Sequence, residues 1–204
     1  MAKNTRHAIL DTTLELLDEG HGDFTYEGLA RHAGVARQTL YSQFPDRTEL
    51  LIAAVDHARH LLGADDLAAP VYGAATARDA LGALLDFHIT FTPRILRPAL
   101  ALEAQRRRDP ELSRKFEQRP QGRRQITRHV MSRLAAEGHL DGNWTVDEAT
   151  DFISALMTAA FTSDLTEERS WSLTQLRDRL RFVIENSMLR PLTNTTTAAK
   201  GGAP

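Results

Sequence analysis

Two short helices joined by a tight turn are predicted between Thr25 and Phe44. Thr25 is a good N-cap for the first helix, and Gly34 is a good residue to end it, because glycine readily adopts the left-handed conformation that follows many helices. In the second helix, Leu40 and Phe44 stand four residues apart and therefore share one face. A helix-turn-helix unit needs small residues at the crossing, a glycine in the turn and apolar inner faces, and all three are present. The segment predicts a small helical domain near the N-terminus.

Apolar residues follow helical rather than strand spacing along the whole chain, and glycine or proline separates the segments. We therefore predict an all-α fold of about nine helices. The segment 63–76, rich in Gly, Ala, Asp and Pro, is predicted to be a loop. The predicted helices cover residues 5–20, 26–32, 36–44, 47–62, 77–91, 93–108, 109–138 with a break near 120–122, 145–163 and 172–190.

The 204-residue chain has no cysteine, which excludes disulfides, thiolate metal sites and cysteine nucleophiles. No apolar run approaches the roughly 18 residues that span a bilayer, and the N-terminus does not resemble a signal peptide, so we expect a soluble cytoplasmic protein without membrane contact. Residues 1–60 hold six basic against nine acidic residues, whereas residues 31–47 hold three arginines against one aspartate. Binding of nucleic acid must therefore depend on where charges are placed rather than on bulk charge.

The outer face of the second short helix carries polar side chains that suit DNA. A helix of this kind lies in the major groove with its N-terminal part nearest the base edges. There Arg37 can pair with guanine, Gln38 can pair with adenine, and the Thr39 methyl group can touch thymine. The hydroxyls of Thr25 and Tyr41 suit phosphate contacts, and Arg47 is placed to reach a phosphate as well. The alternative is a three-helix subdomain with an ordinary polar surface. The predicted DNA-contacting residues are Thr25, Arg37, Gln38, Thr39, Tyr41, Ser42, Gln43 and Arg47.

The same segment resembles the signature of the TetR family, and the resemblance covers residues 5–55. It implies a three-helix DNA-binding domain, a helical domain that binds a small molecule and dimerises, and control of transcription, usually by repression that the small molecule releases. The implied organisation is a DNA-binding domain over 1–46, an effector-binding and dimerisation domain over 47–191, and a disordered tail over 192–204. A weaker likeness to one variety of C-terminal domain covers 93–163. The motif is Leu29-Ala30-x-x-Ala33-Gly34-Val35-x-x-x-Thr39-Leu40-Tyr41-x-x-Phe44-x-x-Arg47-x-x-Leu50.

Two residues depart from this pattern. Ala36 stands where many members have a serine or threonine that caps the recognition helix, a loss of about 1 kcal/mol. Gly28 lies inside the first short helix, where it costs about 1 kcal/mol relative to alanine. Both departures suggest a domain that DNA helps to order.

The last two predicted helices favour a homodimer. The helix over 145–163 is apolar or small on nearly all sides, so we expect one side to face a partner subunit. Two such helices from each subunit can form a four-helix interface with two-fold symmetry, and the operator would then be a near-palindrome with half-sites about 34–36 Å apart or a multiple of this. The alternative is a monomeric core. The predicted interface residues are Ala155, Thr158, Ala159, Thr162, Leu176, Leu180, Val183 and Ile184.

A small-molecule effector of unknown identity is expected to bind among aromatic and histidine side chains of the C-terminal helices. The alternative is that these side chains belong to an ordinary core. Arg106, Arg107 and Arg108 are predicted to be a solvated helix end, with binding of an anionic effector as the alternative. The predicted pocket residues are Phe87, His88, Phe91, Leu100, His129, Trp144, Phe152, Met157 and Phe161.

Two other classes of function remain open from the residues alone. A small helical enzyme is disfavoured because no Gly-rich phosphate loop, G-x-S-x-G elbow or metal-ligand cluster is present, and we predict no catalytic residue, cofactor or metal. A helical interaction protein that has lost DNA binding would fit the negative charge of residues 1–60. Of the three classes, we predict first a DNA-binding transcription regulator. Its predicted partners are a DNA operator, a second copy of the chain and a small molecule.

Overall fold

Twelve α-helices form most of the residues that the computed structural model describes, 2–117 and 122–191. These residues contain no strand beyond one isolated bridge between Leu140 and Leu189, so the all-α fold class is confirmed. None of the described helices is both long and apolar enough to cross a membrane. The predicted disordered tail, 192–204, lies outside the described residues. The helices are α1 (Ala2–Asp18), α2 (Tyr26–His32), α3 (Arg37–Gln43), α4 (Arg47–Leu61), α5 (Ala64–Gly73), α6 (Ala77–Phe91), α7 (Leu96–Arg108), α8 (Pro110–Glu117), α9 (Arg123–Ala136), α10 (Val146–Leu156), α11 (Ala159–Ser163) and α12 (Leu173–Ser187).

The first three helices and the N-terminal half of α4 enclose a first apolar core. α2 begins at Thr25, whose hydroxyl accepts the Gly28 N–H at 3.0 Å, and α4 begins at Asp46, whose carboxylate accepts the Glu49 N–H at 2.8 Å. Each cap satisfies a backbone donor that the helix itself leaves without a partner. The most buried members of this core, all at most 1% exposed, are Ile9, Leu29, Leu40, Phe44, Leu50 and Ala54.

A larger second core lies between α6, α9, α10 and α12. Its centre includes Leu81, Leu84, Val130, Ile153 and Ile184, which are at most 1% exposed.

A third apolar cluster joins α1 and α4 to α7 and α8. Leu17 of α1, Leu51 and Val55 of α4, Leu102 of α7 and Leu112 of α8 pack together. α4 therefore contributes one face to the first core and another to the helices that follow. The domain boundary after residue 46 stays a prediction, because α4 is shared by both parts.

The predicted loop over 63–76 is wrong, because Ala64–Gly73 forms α5. Gly63 adopts a left-handed conformation, with φ of 60°, and turns the chain from α4 into α5. Ala68 and Val71 bury their side chains in the second core, which stabilises a helix that contains Pro70. The alanines of this segment, which contributed to the loop prediction, suit α5 because small side chains let it pack closely against α6.

The long predicted helices are also divided. The helix over 145–163 is interrupted after α10, and Thr158 caps α11 by accepting the Phe161 N–H at 3.1 Å. The helix over 93–108 begins with a 3-10 turn at Thr92–Ile95. The helix over 109–138 is divided into α8 and α9, and part of its predicted break falls on residues outside the described ones.

Candidate nucleic-acid interface and internal cavity

α3 lies on the outside of the first core and presents its polar side chains away from it. Leu40 and Phe44, 0% and 1% exposed, fix the inner face of this helix. On the outer face, Arg37, Gln38, Tyr41 and Ser42 are exposed, and Thr39 and Gln43 are half-buried. The described residues therefore leave open the surface on which DNA binding was predicted.

The turn before α3 has the predicted glycine conformation. Gly34 has φ of +64°, which glycine adopts without steric cost. Ala36 has extended backbone angles, and its side chain caps nothing. The structure explains the glycine at position 28, because the Cβ of any other residue there would lie 3.2 Å from the Thr25 hydroxyl that caps α2.

Two tyrosines and one arginine form a stack at the outer surface. The guanidinium of Arg37 lies 5.5 Å from the ring centroid of Tyr41, and the rings of Tyr41 and Tyr26 are 4.9 Å apart. Burial, with a further contribution from the nearby Asp46 carboxylate, raises the pKa of Tyr26 to about 12. The Tyr26 hydroxyl is therefore protonated at neutral pH. The hydrogen bond to Tyr41 raises the pKa of Arg37 and helps to hold its side chain over the ring.

The remaining polar groups of this surface differ in what they can offer to DNA. The Ser42 hydroxyl donates to the Thr39 carbonyl at 2.8 Å, which leaves its oxygen as an acceptor. The Thr25 hydroxyl accepts a backbone N–H, so its hydrogen can be donated to a phosphate. Arg6 of α1 donates to the Gln43 carbonyl at 3.0 Å and stabilises the end of α3.

Arg47, which was predicted to contact a phosphate, makes its contacts within the protein. Its guanidinium donates to the Phe24 carbonyl at 2.9 Å and to the Gly22 carbonyl, and it lies 4.3 Å from the centroid of the Phe24 ring. Burial lowers the pKa of Arg47. In this arrangement the side chain fastens the loop between α1 and α2 to α4, so its donors are directed into the protein.

An internal cavity of about 480 Å³ lies between α4 and the helices that follow it. Val55 and Arg59 of α4 belong to its lining, so the cavity touches the helix that also packs in the first core. Much of the wall is apolar, with the stacked rings of Phe87 and Phe91 5.3 Å apart on one side. The cavity is therefore large enough to hold a small organic molecule. Its other lining residues include Asp65, Ala68, Tyr72, His88, Thr92, Ile95, Leu102, Glu103, Arg106, Phe116, Arg123, Ile126, Met157 and Ala159.

His88 is a satisfied, neutral side chain in the wall of this cavity. It is 3% exposed, and burial, with a smaller contribution from Arg123, lowers its pKa to about 4. The Thr162 hydroxyl donates to the Thr158 carbonyl at 3.0 Å, so it accepts from His88 Nε2 at 3.1 Å. Thr92 then donates to His88 Nδ1 at 2.9 Å. Both ring nitrogens thus have partners when the proton is on Nε2.

Glu103 connects three elements around the cavity. Its carboxylate accepts the backbone N–H groups of Ala159 and Ala160, both at 3.1 Å, at the start of α11. It also accepts from Arg123 Nη1 of α9 at 3.2 Å. A carboxylate at this point is favourable, because the first N–H groups of a helix have no partner within the helix. The interruption between α10 and α11 therefore depends on a side chain from α7.

Comparison with known proteins identifies the N-terminal segment of the chain. Residues 9–54 match the family described as bacterial regulatory proteins, tetR family. The matched segment contains the helix-turn-helix formed by α2 and α3. No curated protein matches the chain in sequence.

Solved structures match this chain over most of its length. A protein from Saccharomonospora viridis, solved with choline, is 20% identical with a TM-score of 0.70, and the match covers 93% of this chain and 100% of the other. FadR from Bacillus subtilis, solved with stearoyl-CoA, is 18% identical with a TM-score of 0.68, covering 87% and 96%. NalD from Pseudomonas aeruginosa, described as the secondary repressor of the MexAB-OprM multidrug efflux pump, is 21% identical with a TM-score of 0.63, covering 94% and 98%. At these identities the matches establish the shared fold.

The predicted pocket residues divide into two groups. Phe87, His88, Phe91 and Met157 line the cavity. His129 lies behind the cavity residue Tyr72, with ring centroids 4.9 Å apart. The predicted residues that do not belong to the cavity lining are Leu100, His129, Trp144, Phe152 and Phe161.

Sequence reasoning missed four of the charged residues that line the cavity, Arg59, Asp65, Glu103 and Arg123, and named Arg106 only as a helix end with an anionic effector as the alternative. Arg59 continues the spacing of Leu51 and Val55 along α4, so an arginine in an apolar stripe was a usable signal. Glu103 and Arg123 lie far apart in sequence and gave no such signal. Arg106 lines the cavity, whereas the two arginines that follow it are exposed.

The predicted interface residues also divide. Val183, 41% exposed, and Ala155 reach the surface, and Thr158 caps α11. The others are already buried against the chain's own helices, because α12 packs its leucine-rich stripe on α6 and α11 faces the cavity, so they are not available to a second copy. These buried residues are Ala159, Thr162, Leu176, Leu180 and Ile184.

Proposed function

We propose that this protein is a DNA-binding regulator of the TetR family, a homodimeric repressor that leaves a near-palindromic operator when a small molecule binds its internal cavity. The observation that carries DNA recognition is the open polar face of α3, held outward by the buried side chains of Leu40 and Phe44. Arg37 and Gln38, at the N-terminal end of that helix, have the donors and acceptors that distinguish bases in the major groove. In this proposal Thr25, Thr39, Tyr41, Ser42 and Gln43 support the same contact.

Selection of bound sequences from a random DNA pool tests this part of the proposal. The selected DNA should contain inverted half-sites. The logarithm of the binding constant should fall with the logarithm of the salt concentration, at a slope near −0.9 per phosphate contact. Arg37→Ala and Gln38→Ala should each relax the preference at particular bases. Arg94→Ala, which removes an exposed arginine from the turn before α7, is the matched control and should leave sequence preference unchanged. No enrichment of any sequence would contradict the proposal.

A surface on α10 and α12 supports the homodimer. Phe152, Phe182 and Val183 are 42%, 58% and 41% exposed, which is unusual for large apolar side chains. Trp144 connects the two helices, since its ring lies 5.5 Å from that of Phe152 and its Nε1 donates to the Ser187 carbonyl at 2.9 Å. Together with Ala155, these residues would form the contact with a second copy.

The mass in solution tests this contact. Val183→Glu and Phe182→Glu should shift the protein from dimer toward monomer in analytical ultracentrifugation, because each would place a charge in an apolar contact. Leu61→Glu is the matched control, since Leu61 is 61% exposed and lies on α4. Dimers that persist equally in all three variants would place the contact elsewhere.

The position of α4 supports release by a small molecule. Its N-terminal half packs in the core that holds α3, and its C-terminal half supplies Val55 and Arg59 to the cavity. A molecule that prefers one position of α4 would therefore shift the affinity for DNA, by linkage. Similar folds are described with choline and with stearoyl-CoA, so the fold alone does not choose the charge of the ligand.

A further inference from the structure

The described residues that line the internal cavity combine five charged side chains with mostly apolar walls. Among its described lining residues, three arginines stand against two acids, which leaves one net positive charge. Apolar surroundings strengthen electrostatic interactions, so a ligand with one negative charge would be favoured there. The charged lining residues are Arg59, Asp65, Glu103, Arg106 and Arg123.

Both acids of the cavity already have partners. Glu103 accepts two backbone N–H groups and the Arg123 guanidinium, so its oxygens are engaged. The Asp65 carboxylate is 80% exposed and lies 3.6 Å from Arg59. Neither carboxylate is therefore well placed to attract a cationic ligand into the cavity.

The cavity histidine adds no charge to this balance. His88 has a lowered pKa of about 4, caused first by burial, and both of its ring nitrogens are hydrogen-bonded to threonine hydroxyls. The net charge of the described lining residues near neutral pH is thus set by the three arginines and the two acids.

Two buried polar atoms near Arg123 lack hydrogen-bond partners within the described residues. They are Arg123 Nε and Ser154 Oγ. Ser154 lines a second, more polar groove of about 550 Å³, and this groove shares Phe116, Gly122 and Arg123 with the cavity. A buried N–H or O–H without an acceptor is unfavourable, so both donors favour a ligand oxygen at this junction.

We infer that the effector is an amphipathic carboxylate whose apolar body fills the cavity, beside Phe87 and Phe91, and whose single charged head accepts the Nε–H of Arg123. Arg106, whose guanidinium lies 4.5 Å from the centroid of the Phe116 ring, stands near the same junction and adds positive charge. This inference rests on the proposed role of the cavity as an effector site.

Three probes with the same ten-carbon chain test the inference by titration calorimetry below their aggregation concentrations. Decanoate should bind at least about tenfold more tightly than decan-1-ol, because a charge-assisted hydrogen bond exceeds a neutral one. Decylamine should bind more weakly than decan-1-ol, since the cavity would repel its ammonium group. If decylamine binds as tightly as decan-1-ol, or more tightly, the inference is overturned.

Variants of Arg123 separate recognition of the head group from a structural role. Arg123→Gln should weaken decanoate binding at least about tenfold and leave decan-1-ol binding unchanged. Arg124→Gln is the matched control, because Arg124 pairs with Asp151 in the adjacent groove at 2.8 Å and does not line the cavity. A parallel loss of decanoate and decan-1-ol binding would mean that Arg123 only supports the cavity wall through Glu103. If Arg123→Gln does not fold, Arg123→Lys, which keeps the charge without the Nε–H, should still weaken decanoate selectively.

A DNA-release assay distinguishes this inference from the proposed function. Decanoate that binds with the expected selectivity but leaves operator affinity unchanged would refute effector release and leave the ligand class supported. Release of DNA by decylamine and not by decanoate would refute the ligand class and leave effector release supported.

Discussion

Ala36→Ser should stabilise the protein, because the backbone at position 36 already has the conformation of a helix cap. Ala36 has φ of −67° and ψ of 143°, close to the −70° and 152° of Ser172, which caps α12 by accepting the Gln175 N–H at 3.1 Å. A serine hydroxyl at position 36 can therefore accept the Thr39 N–H at the start of α3 without moving the backbone. The change removes an unsatisfied donor of the recognition helix.

The expected gain follows from other helix caps. A capping serine in place of alanine is worth about 1 kcal/mol, within a range of about 0.5–2 kcal/mol. For a cooperative unit of about 200 residues, this corresponds to a rise in Tm of about 2–4 °C. The cluster that joins Leu17, Leu51 and Leu102 makes such cooperativity the expected behaviour.

Thermal unfolding without DNA, followed by circular dichroism, measures this effect. Ser172→Ala is the reverse change and should lower Tm by about 2–4 °C. Ala104→Ser places the same new side chain at an exposed position inside α7, where lower helix propensity should reduce Tm slightly. If Ser172→Ala lowers Tm but Ala36→Ser leaves it unchanged or lowers it, the capping argument for α3 is refuted.

Three further changes test the interior of the molecule by urea unfolding. Arg47→Ala should lower the free energy of unfolding by about 1–3 kcal/mol, because the Phe24 and Gly22 carbonyls lose their donor. A loss of DNA affinity at unchanged stability would instead favour a phosphate contact of Arg47. Glu103→Ala should cost a similar amount, about 1–3 kcal/mol, because the first N–H groups of α11 lose their acceptor, whereas Glu103→Gln should cost less. Burial favours the neutral form of His88, whose pKa is about 4 in the folded protein against about 6.5 in the unfolded chain. This difference contributes about 3 kcal/mol to the free energy of unfolding. The contribution is complete above pH 6.5 and is lost as the pH falls to 4. His88→Gln should make the stability less dependent on pH in that window, and an unchanged dependence would assign it to other groups.

Local signals predicted several helix boundaries that a cap or a glycine marks, whereas the first helix, predicted over 5–20, spans Ala2–Asp18. Thr25, Gly34 and Ser172 act as predicted, because capping depends on residues within one turn of the helix end. The bounds of α6 agree with the predicted helix over 77–91, since its apolar face repeats regularly. The exposure of α3 was likewise predictable from the contrast between its apolar and polar faces.

Packing decided the elements that lack such signals. α5 contains a proline and ends in a glycine, and it is stabilised by the core that Ala68 and Val71 enter. The interruption before α11 depends on Glu103, which lies more than 50 residues away in sequence. Propensity and periodicity describe one segment at a time, so neither could reveal contacts between distant helices.

The sequence by itself determined an all-helical chain with a helix-turn-helix near its start, because caps, turns and apolar periodicity are local properties. Only the tertiary structure decided what each apolar or charged side chain faces. Leu176 and Leu180 turn toward the chain's own core, Arg47 turns toward backbone carbonyls, and Arg123 turns toward a cavity. A helical stripe shows that a face is buried, but the partner that buries it is fixed by how all the helices pack together.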